Sequence, residues 1–160
     1  MNFFCKHGPA LDGDLIYRKD EFSIDFVQKK TNTSEKTYRT DVSSISIGTL
    51  QLEVSMKYGE VLFPWGYFPF ARWINRSLTP PIASSGRLFI SDAATLLAGG
   101  TTSLPDSTSW STYIDCSSGW LNIGGEAPGE FAIEFATNVV ASLIGERLVG
   151  LWLKPKWINV

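Results

Sequence analysis

Apolar and polar side chains alternate without a break from Leu50 to Tyr58. The apolar positions are Leu50, Leu52, Val54, Met56 and Tyr58, and the residues between them are Gln51, Glu53, Ser55 and Lys57. A period of two residues is that of a β-strand, whose successive side chains point to opposite faces of a sheet. One buried face and one wet face are typical of antiparallel sheet. The chain is therefore expected to fold around antiparallel sheet.

Further strands are expected on both sides of this segment. Residues 15–18 and 22–27 predict a hairpin around a turn at Asp20 and Glu21, because apolar side chains again recur at every second position. Later strands are predicted at 110–116, 120–123, 131–135 and 148–153. They follow a loop rich in Ser, Thr and Gly, which is typical of the connections between strands.

Three segments carry helical signals. Pro69 at a first helical position, followed by apolar residues at helical spacing, predicts a short helix over 69–78. A second short helix is predicted over 92–98, where Gly99 and Gly100 form the stop signal. Residues 138–144 fit a helical stripe or a strand, with helix preferred. A chain of 160 residues is expected to form one domain, 1–160, of α+β class: mainly antiparallel sheet with two or three short helices.

The acidic residues are unevenly distributed along the chain. The segment from Leu88 to Glu146 contains no Lys or Arg, although the formal net charge of the whole chain is only −2. Its acids are Asp92, Asp106, Asp115, Glu126, Glu130, Glu134 and Glu146. A surface of one sign attracts partners of the opposite sign and speeds their encounter. This distribution predicts a cationic partner and argues against nucleic acid.

An acidic stripe is predicted on the strand at 131–135. If Phe131, Ile133 and Phe135 point into the core, the two-residue period turns Glu130, Ala132 and Glu134 outward. The candidate partner-binding acids are Asp115, Glu126, Glu130 and Glu134. The alternative is an ordinary acidic surface that keeps the protein soluble.

The segment 61–71 has five aromatic rings and no charged residue. Pro64 and Pro69 are expected to prevent it from being a central strand throughout, so that its backbone leaves the sheet. If the segment is exposed, Trp65 and Tyr67 are the predicted anchors for a partner, because Trp and Tyr are enriched in binding hot spots. The alternative is a loop folded back over one end of the core.

The sequence carries no recognisable catalytic, metal or cofactor pattern. His7 is the only histidine, so zinc sites and a Ser-His-Asp triad are not expected. Cys5 and Cys116 are too far apart in sequence for a metal knuckle and are predicted to be free thiols. Residues 124–129 contain glycines but lack the Lys-Ser/Thr of a phosphate-binding loop. The chain is predicted to be no enzyme and to bind neither metal nor cofactor.

No stretch approaches the roughly twenty apolar residues of a membrane span, and the N-terminal residues lack the apolar run of a signal peptide. A cytoplasmic bacterial protein that does not contact the membrane is expected. Small size, an acidic face and aromatic loops without an active site resemble the immunity proteins of bacterial toxin systems, including contact-dependent growth inhibition. That resemblance is one of type over the whole chain. It implies an inhibitor that occludes a cognate basic toxin such as a nuclease.

A second function class stays open. Strand-rich domains that bind carbohydrate stack exposed Trp and Tyr rings on the sugar and use Asp, Asn or Gln for its hydroxyl groups. This chain contains those residue types. The sequence therefore predicts a binding protein, with a protein partner as the leading interpretation and a carbohydrate ligand as the alternative.

Overall fold

A computed structural model describes residues 1–29, 41–125 and 128–159 of the chain. Strands dominate these residues, and their bounds are as follows: β1 Phe3–His7, β2 Gly13–Arg18, β3 Ser23–Gln28, β4 Val42–Ile47, β5 Leu50–Ser55, β6 Glu60–Tyr67, β7 Ile74–Asn75, β8 Ser84–Ile90, β9 Thr101–Ser103, β10 Ser111–Ile114, β11 Leu121–Gly124, β12 Phe131–Ala136, β13 Val139–Ile144, β14 Arg147–Leu153 and β15 Lys156–Ile158. Short 3₁₀ turns occur at Phe70–Arg72, Ala93–Thr95 and Ser107–Ser109.

The strands form three connected sheets. The first sheet has the order β9-β4-β5-β6-β8-β1, and the second has the order β12-β13-β14-β11-β10-β7. The third sheet is β15-β2-β3. Strand β6 links the first sheet to the third by pairing with β3, and β8 links it to the second by a parallel pairing with β12. One cluster of buried apolar side chains joins all three sheets, so they enclose a shared core.

The strands predicted from two-residue periodicity are present, but the alternation expected from Leu50 to Tyr58 ends early, because β5 stops at Ser55, which is buried, and Met56–Tyr58 lie in a turn with Tyr58 exposed. In β5, Leu50, Leu52 and Val54 are fully buried, whereas Gln51 and Glu53 are partly exposed. The predicted first hairpin is the antiparallel pair β2 and β3. The four later strands correspond to β10, β11, β12 and β14. Where one face meets the core and the other meets water, alternation alone therefore places the strand.

The α+β prediction with two or three short helices is wrong, because no helix of seven or more residues occurs in the described part of the chain. In 69–78, a single 3₁₀ turn ends at Trp73, whose backbone is extended. Residues Ile74–Asn75 then pair with β10. The apolar residues at helical spacing in 69–78 therefore belong to a turn followed by a strand.

The two other helical expectations are also wrong. Within 92–98, only Ala93–Thr95 forms a 3₁₀ turn, and Leu96 after it is extended. Residues Val139–Ile144 form β13, which lies between β12 and β14. Its first five residues are all buried, because both of its faces are covered. Burial on both faces removes the alternation that identifies a strand, and apolar runs of this kind fit a helix equally well.

Residues 76–83 cross the outer face of the second sheet, the face turned away from the core. They connect β7 at one edge to β8 beyond the other edge, and β10, β11, β14, β13 and β12 lie between those strands. Six strand spacings of about 4.8 Å amount to about 29 Å. The nine residue steps from Asn75 to Ser84 reach about 30 Å when extended. We call 76–83 the strap, and its extended backbone matches the width of the sheet that it crosses.

Candidate functional site

An exposed cluster of rings lies where β6 leaves the first sheet. Phe22, Trp65, Tyr67 and Phe70 expose 39%, 38%, 55% and 45% of their surface. The ring centroids of Phe22 and Phe70 are 5.4 Å apart, and those of Phe22 and Tyr67 are 6.4 Å apart. Trp65 has no ring contact with the other three and is included as the exposed residue two positions before Tyr67 on β6. We call these four residues the aromatic patch. Adjoining exposed rings of this kind mark surfaces that bind other molecules.

The aromatic patch rests on a rigid base. Trp73 packs against Phe70, and its centroid is 4.9 Å from Phe68 and 5.3 Å from Tyr17. The hydroxyl of Tyr17 donates a 2.6 Å hydrogen bond to the carbonyl oxygen of Phe68. Burial raises the pKa of Tyr17 to about 12. The rings above this base are therefore presented in a fixed geometry.

Phe22 has a φ of 51°, which is unusual for a residue with a large side chain. Its carbonyl oxygen accepts a 2.6 Å hydrogen bond from the backbone N–H of Phe68, and this bond holds the β2–β3 turn against the end of β6. Left-handed backbone costs a bulky residue of order 1–3 kcal/mol. Strained backbone conformations are concentrated at functional sites, so an exposed ring held in one favours a binding role for Phe22.

Most of the aromatic segment 61–71 belongs to β6, and the two predicted anchors lie near the exposed end of that strand. Trp65 and Tyr67 lie two residues apart on β6 and belong to the aromatic patch. The expectation that the prolines interrupt the strand is wrong for Pro64, which lies inside β6 opposite Leu52 of β5. Strand β6 pairs with β8 only at its start and with β3 only at its end. Among the described residues, no strand therefore pairs with Pro64 on that side, and a missing N–H is tolerated there.

The predicted acidic residues are not assembled into one stripe. Asp115 is buried, and its carboxylate accepts hydrogen bonds from the backbone N–H groups of Leu78, Ser117 and Ser118. These bonds hold the pKa of Asp115 below its ordinary range. The bond from Leu78 fixes the strap to the end of β10. In this geometry Asp115 organises the backbone rather than an exposed face.

Glu130 precedes β12 and Glu134 lies within it. The inward orientation predicted for the β12 residues between and beside them is partly wrong. Phe131 is 45% exposed and Ala132 is buried, the reverse of the predicted orientation, whereas Ile133 and Phe135 are buried as predicted. A carboxylate oxygen of Glu134 accepts from the backbone N–H of Asn138, and one of Glu130 accepts from Gly145. Each glutamate thus reaches a hairpin turn of the second sheet. Glu126 lies outside the described residues.

Negative charge in the segment 88–146 has no counterion among the residues that the structure describes. None of its acids that the structure describes forms an ion pair, whereas Arg18–Asp25, Arg87–Glu60 and Lys156–Asp14 pair elsewhere. Four of these acids are exposed: Asp92, Asp106, Glu130 and Glu146. Their charge remains available to act on a partner.

A groove of about 570 Å³ lies between the strap and the outer face of the second sheet. Its floor is formed by small residues on three adjacent strands, Gly124, Gly150 and Ser142, whose register row continues to Ser111 and Ala132 outside the groove. The next row across the same strands has larger side chains: Tyr113, Asn122, Trp152, Val140 and Glu134. The missing side chains of Gly124 and Gly150, which face each other, create the depression.

Several polar groups in this groove lack protein partners. Ser142 is only 6% exposed, and its hydroxyl has no hydrogen bond within the described part of the chain. Asn122 donates from Nδ2 to the carbonyl of Leu151, which leaves its Oδ1 free. Arg76 stacks 4.0 Å above the ring of Tyr113. No local sequence signal identifies these residues, because only strand register brings them together.

Other chemistry is sparse in the described residues. His7 is exposed at the end of β1, and Cys5 and Cys116 are free thiols, as predicted. No group of three or more potential metal ligands occurs in 1–29, 41–125 and 128–159. Over the same residues, no helix is long and apolar enough to cross a membrane. Comparison with models of known protein families and with curated protein sequences finds no match to this chain.

Proposed function

We propose that the protein binds another protein through the aromatic patch and acts as an immunity protein that occludes a cognate basic toxin. The aromatic patch carries this proposal. Exposed rings on a rigid base bury a large area at low entropic cost, which is how Trp and Tyr anchors act in protein interfaces. The partner implied by the type of protein is a nuclease whose cationic cleft is blocked.

The charge distribution supports a basic partner. The exposed acids of 88–146 form no ion pair with any described residue, so their field extends from the surface. Such a field speeds encounter, whereas packed aromatic anchors slow dissociation. The acids act by steering in this proposal, and no contiguous acidic stripe is needed. The protein would act in the cytoplasm, where an immunity protein meets its toxin.

The proposal is tested by changing one ring inside the aromatic patch and one outside it. Tyr67 and Tyr58 are 55% and 52% exposed, which makes them a matched pair. We expect Tyr67→Ser to weaken binding to the cognate toxin at least tenfold and to abolish protection of toxin-expressing cells. Tyr58→Ser should leave both unchanged. Titration calorimetry and a survival assay provide the two measurements.

The toxin for this test is the product of the gene next to that of the chain, confirmed by copurification and mass spectrometry. Equal loss in both tyrosine variants, or no loss in either, would contradict the proposed patch.

Electrostatic steering is tested separately by stopped-flow measurement of the association rate, which should slow several-fold between low and physiological salt because mobile ions screen the exposed acids. An on-rate that ignores salt would refute the electrostatic part.

A further inference from the structure

The groove beneath the strap is a built cavity that the aromatic patch does not explain. Its volume of about 570 Å³ lies within the range of small-molecule sites. One wall is Trp152, and the floor is the facing pair Gly124 and Gly150. Ser142, which is 6% exposed, lines it with a hydroxyl that makes no hydrogen bond within the described residues. A hydroxyl that is open to the groove can donate to, and accept from, a ligand that enters it.

The lining excludes several ligand classes. An extended peptide that adds to a sheet needs a free strand edge, but β13, β14 and β11 are paired on both sides. Phosphate groups and nucleic acid need several cations, and Arg76 is the only charged residue among the described residues of the lining. The acids Glu134 and Asp115 on neighbouring positions further disfavour an anion. A purely apolar ligand would leave Ser142 and Asn122 without partners.

We infer that this groove binds a neutral saccharide of one or two rings. The indole of Trp152 provides an apolar surface for the C–H face of a sugar ring. Around it, Arg76 and Ser142 can donate hydrogen bonds, and the Oδ1 of Asn122 can accept them. Vicinal hydroxyl groups match this mixture of donors and acceptors. The site is separate from the aromatic patch, so the inference goes beyond the proposed protein-binding function.

The floor allows a test that leaves the fold intact. A Cβ at Gly150 would lie 3.4 Å from the carbonyl oxygen of Ile123 and 3.8 Å from Nδ2 of Asn122, which are tolerable contacts. Gly150→Ala therefore adds a methyl group to the floor without a steric clash. Ser142→Ala removes a hydroxyl that lines the groove and breaks no hydrogen bond within the described residues. Both variants are expected to melt at or above the wild-type temperature.

The measurement is saturation-transfer NMR followed by calorimetry, with cellobiose, maltose and diacetylchitobiose as the ligands tested, each at up to about 10 mM, a range that detects millimolar affinity. Saturable binding of at least one disaccharide is expected. Gly150→Ala should weaken it at least tenfold, and Ser142→Ala should weaken it about threefold to tenfold, as the loss of one hydrogen bond implies.

Two control variants lie outside the groove. Ser55 is a serine of similar burial at 3% exposure, and Arg72 is an exposed arginine beside the aromatic patch. Ser55→Ala and Arg72→Gln should change saccharide affinity less than twofold. The inference is overturned if none of the three disaccharides binds, or if folded Gly150→Ala binds as well as wild type. Binding that fails equally in Ser55→Ala and Ser142→Ala would also overturn it.

Discussion

The aromatic patch and the groove are built in opposite ways. The patch consists of large side chains that project because other rings support them from below. The groove consists of absent side chains, because Gly124 and Gly150 face each other on β11 and β14. A projecting apolar surface suits a protein partner, whereas a small concave polar surface suits a compact ligand. Truncation should therefore damage the first region, and added atoms should damage the second.

The largest effect is expected from removing the support of the aromatic patch. Trp73→Ala deletes a ring that packs against Tyr17, Phe68, Phe70 and Trp157. We expect the free energy of unfolding to fall by about 3 kcal/mol, since large-to-small changes at packed Trp cost about this much. Urea denaturation measures it. A loss below about 1 kcal/mol would show that the patch does not depend on this base.

The second effect distinguishes the two glycines of the groove. A Cβ at Gly124 would lie 2.9 Å from the carbonyl oxygen of Val149 and 3.1 Å from the Cα of Gly150. Gly124→Ala should therefore lower the free energy of unfolding by about 2 kcal/mol, as overpacking does. Gly150→Ala is the control and should cost little. Equal stability of the two variants in thermal melts would contradict the close approach of β11 and β14.

A smaller effect is expected from the hydroxyl of Tyr17. Tyr17→Phe leaves the carbonyl of Phe68 without its donor and should cost about 1 kcal/mol at neutral pH. The folded-state pKa of about 12 exceeds the ordinary value of 10, so this stabilisation is complete below pH 10 and is lost as the pH rises toward 12. Melting temperatures of the wild type should fall in that window more than those of Tyr17→Phe. Parallel curves would refute the assignment.

The smallest effect concerns the carboxylate that fixes the strap. The backbone N–H groups of Leu78, Ser117 and Ser118 lower the pKa of Asp115. A lowered folded-state pKa gives stability that is present above the ordinary value near pH 4 and is lost as the pH falls through the folded value. Asp115→Asn should therefore flatten the decline of melting temperature below pH 4. An unchanged acid profile would mean that Asp115 does not hold the strap through its charge.

The sequence alone predicts a strand where apolar and polar side chains alternate. Leu50, Leu52 and Val54 identify β5 because one face of that strand meets the core and the other does not. The same logic fails for β13, whose two faces are both covered. It also misplaces Phe131, which lies at the first position of β12 and stays exposed. The apolar pattern of a segment shows which face is expected to be buried. It cannot show that a segment distant in sequence buries the other face.

The two candidate surfaces were predictable to different degrees. Trp65 and Tyr67 could be selected because residue type alone suggests an anchor, and both are exposed. The groove could not be predicted, since Gly124, Gly150 and Ser142 meet only through the register of three strands. Glycine in a strand carries no local signal that distinguishes a turn from a depression. Sites built by missing side chains therefore require the structure.

The strap has a consequence for the order of folding. Strands β7 and β8 are close in sequence, yet five strands that follow both of them in the chain lie between them in the second sheet. During synthesis, residues 76–83 emerge before any part of the surface that they will cross. The five strands must therefore insert between β7 and β8, which the strap already joins. Contacts between residues this far apart in sequence slow folding. Shortening the strap by two residues would remove about 6 Å of reach and leave a chain unable to admit all five strands.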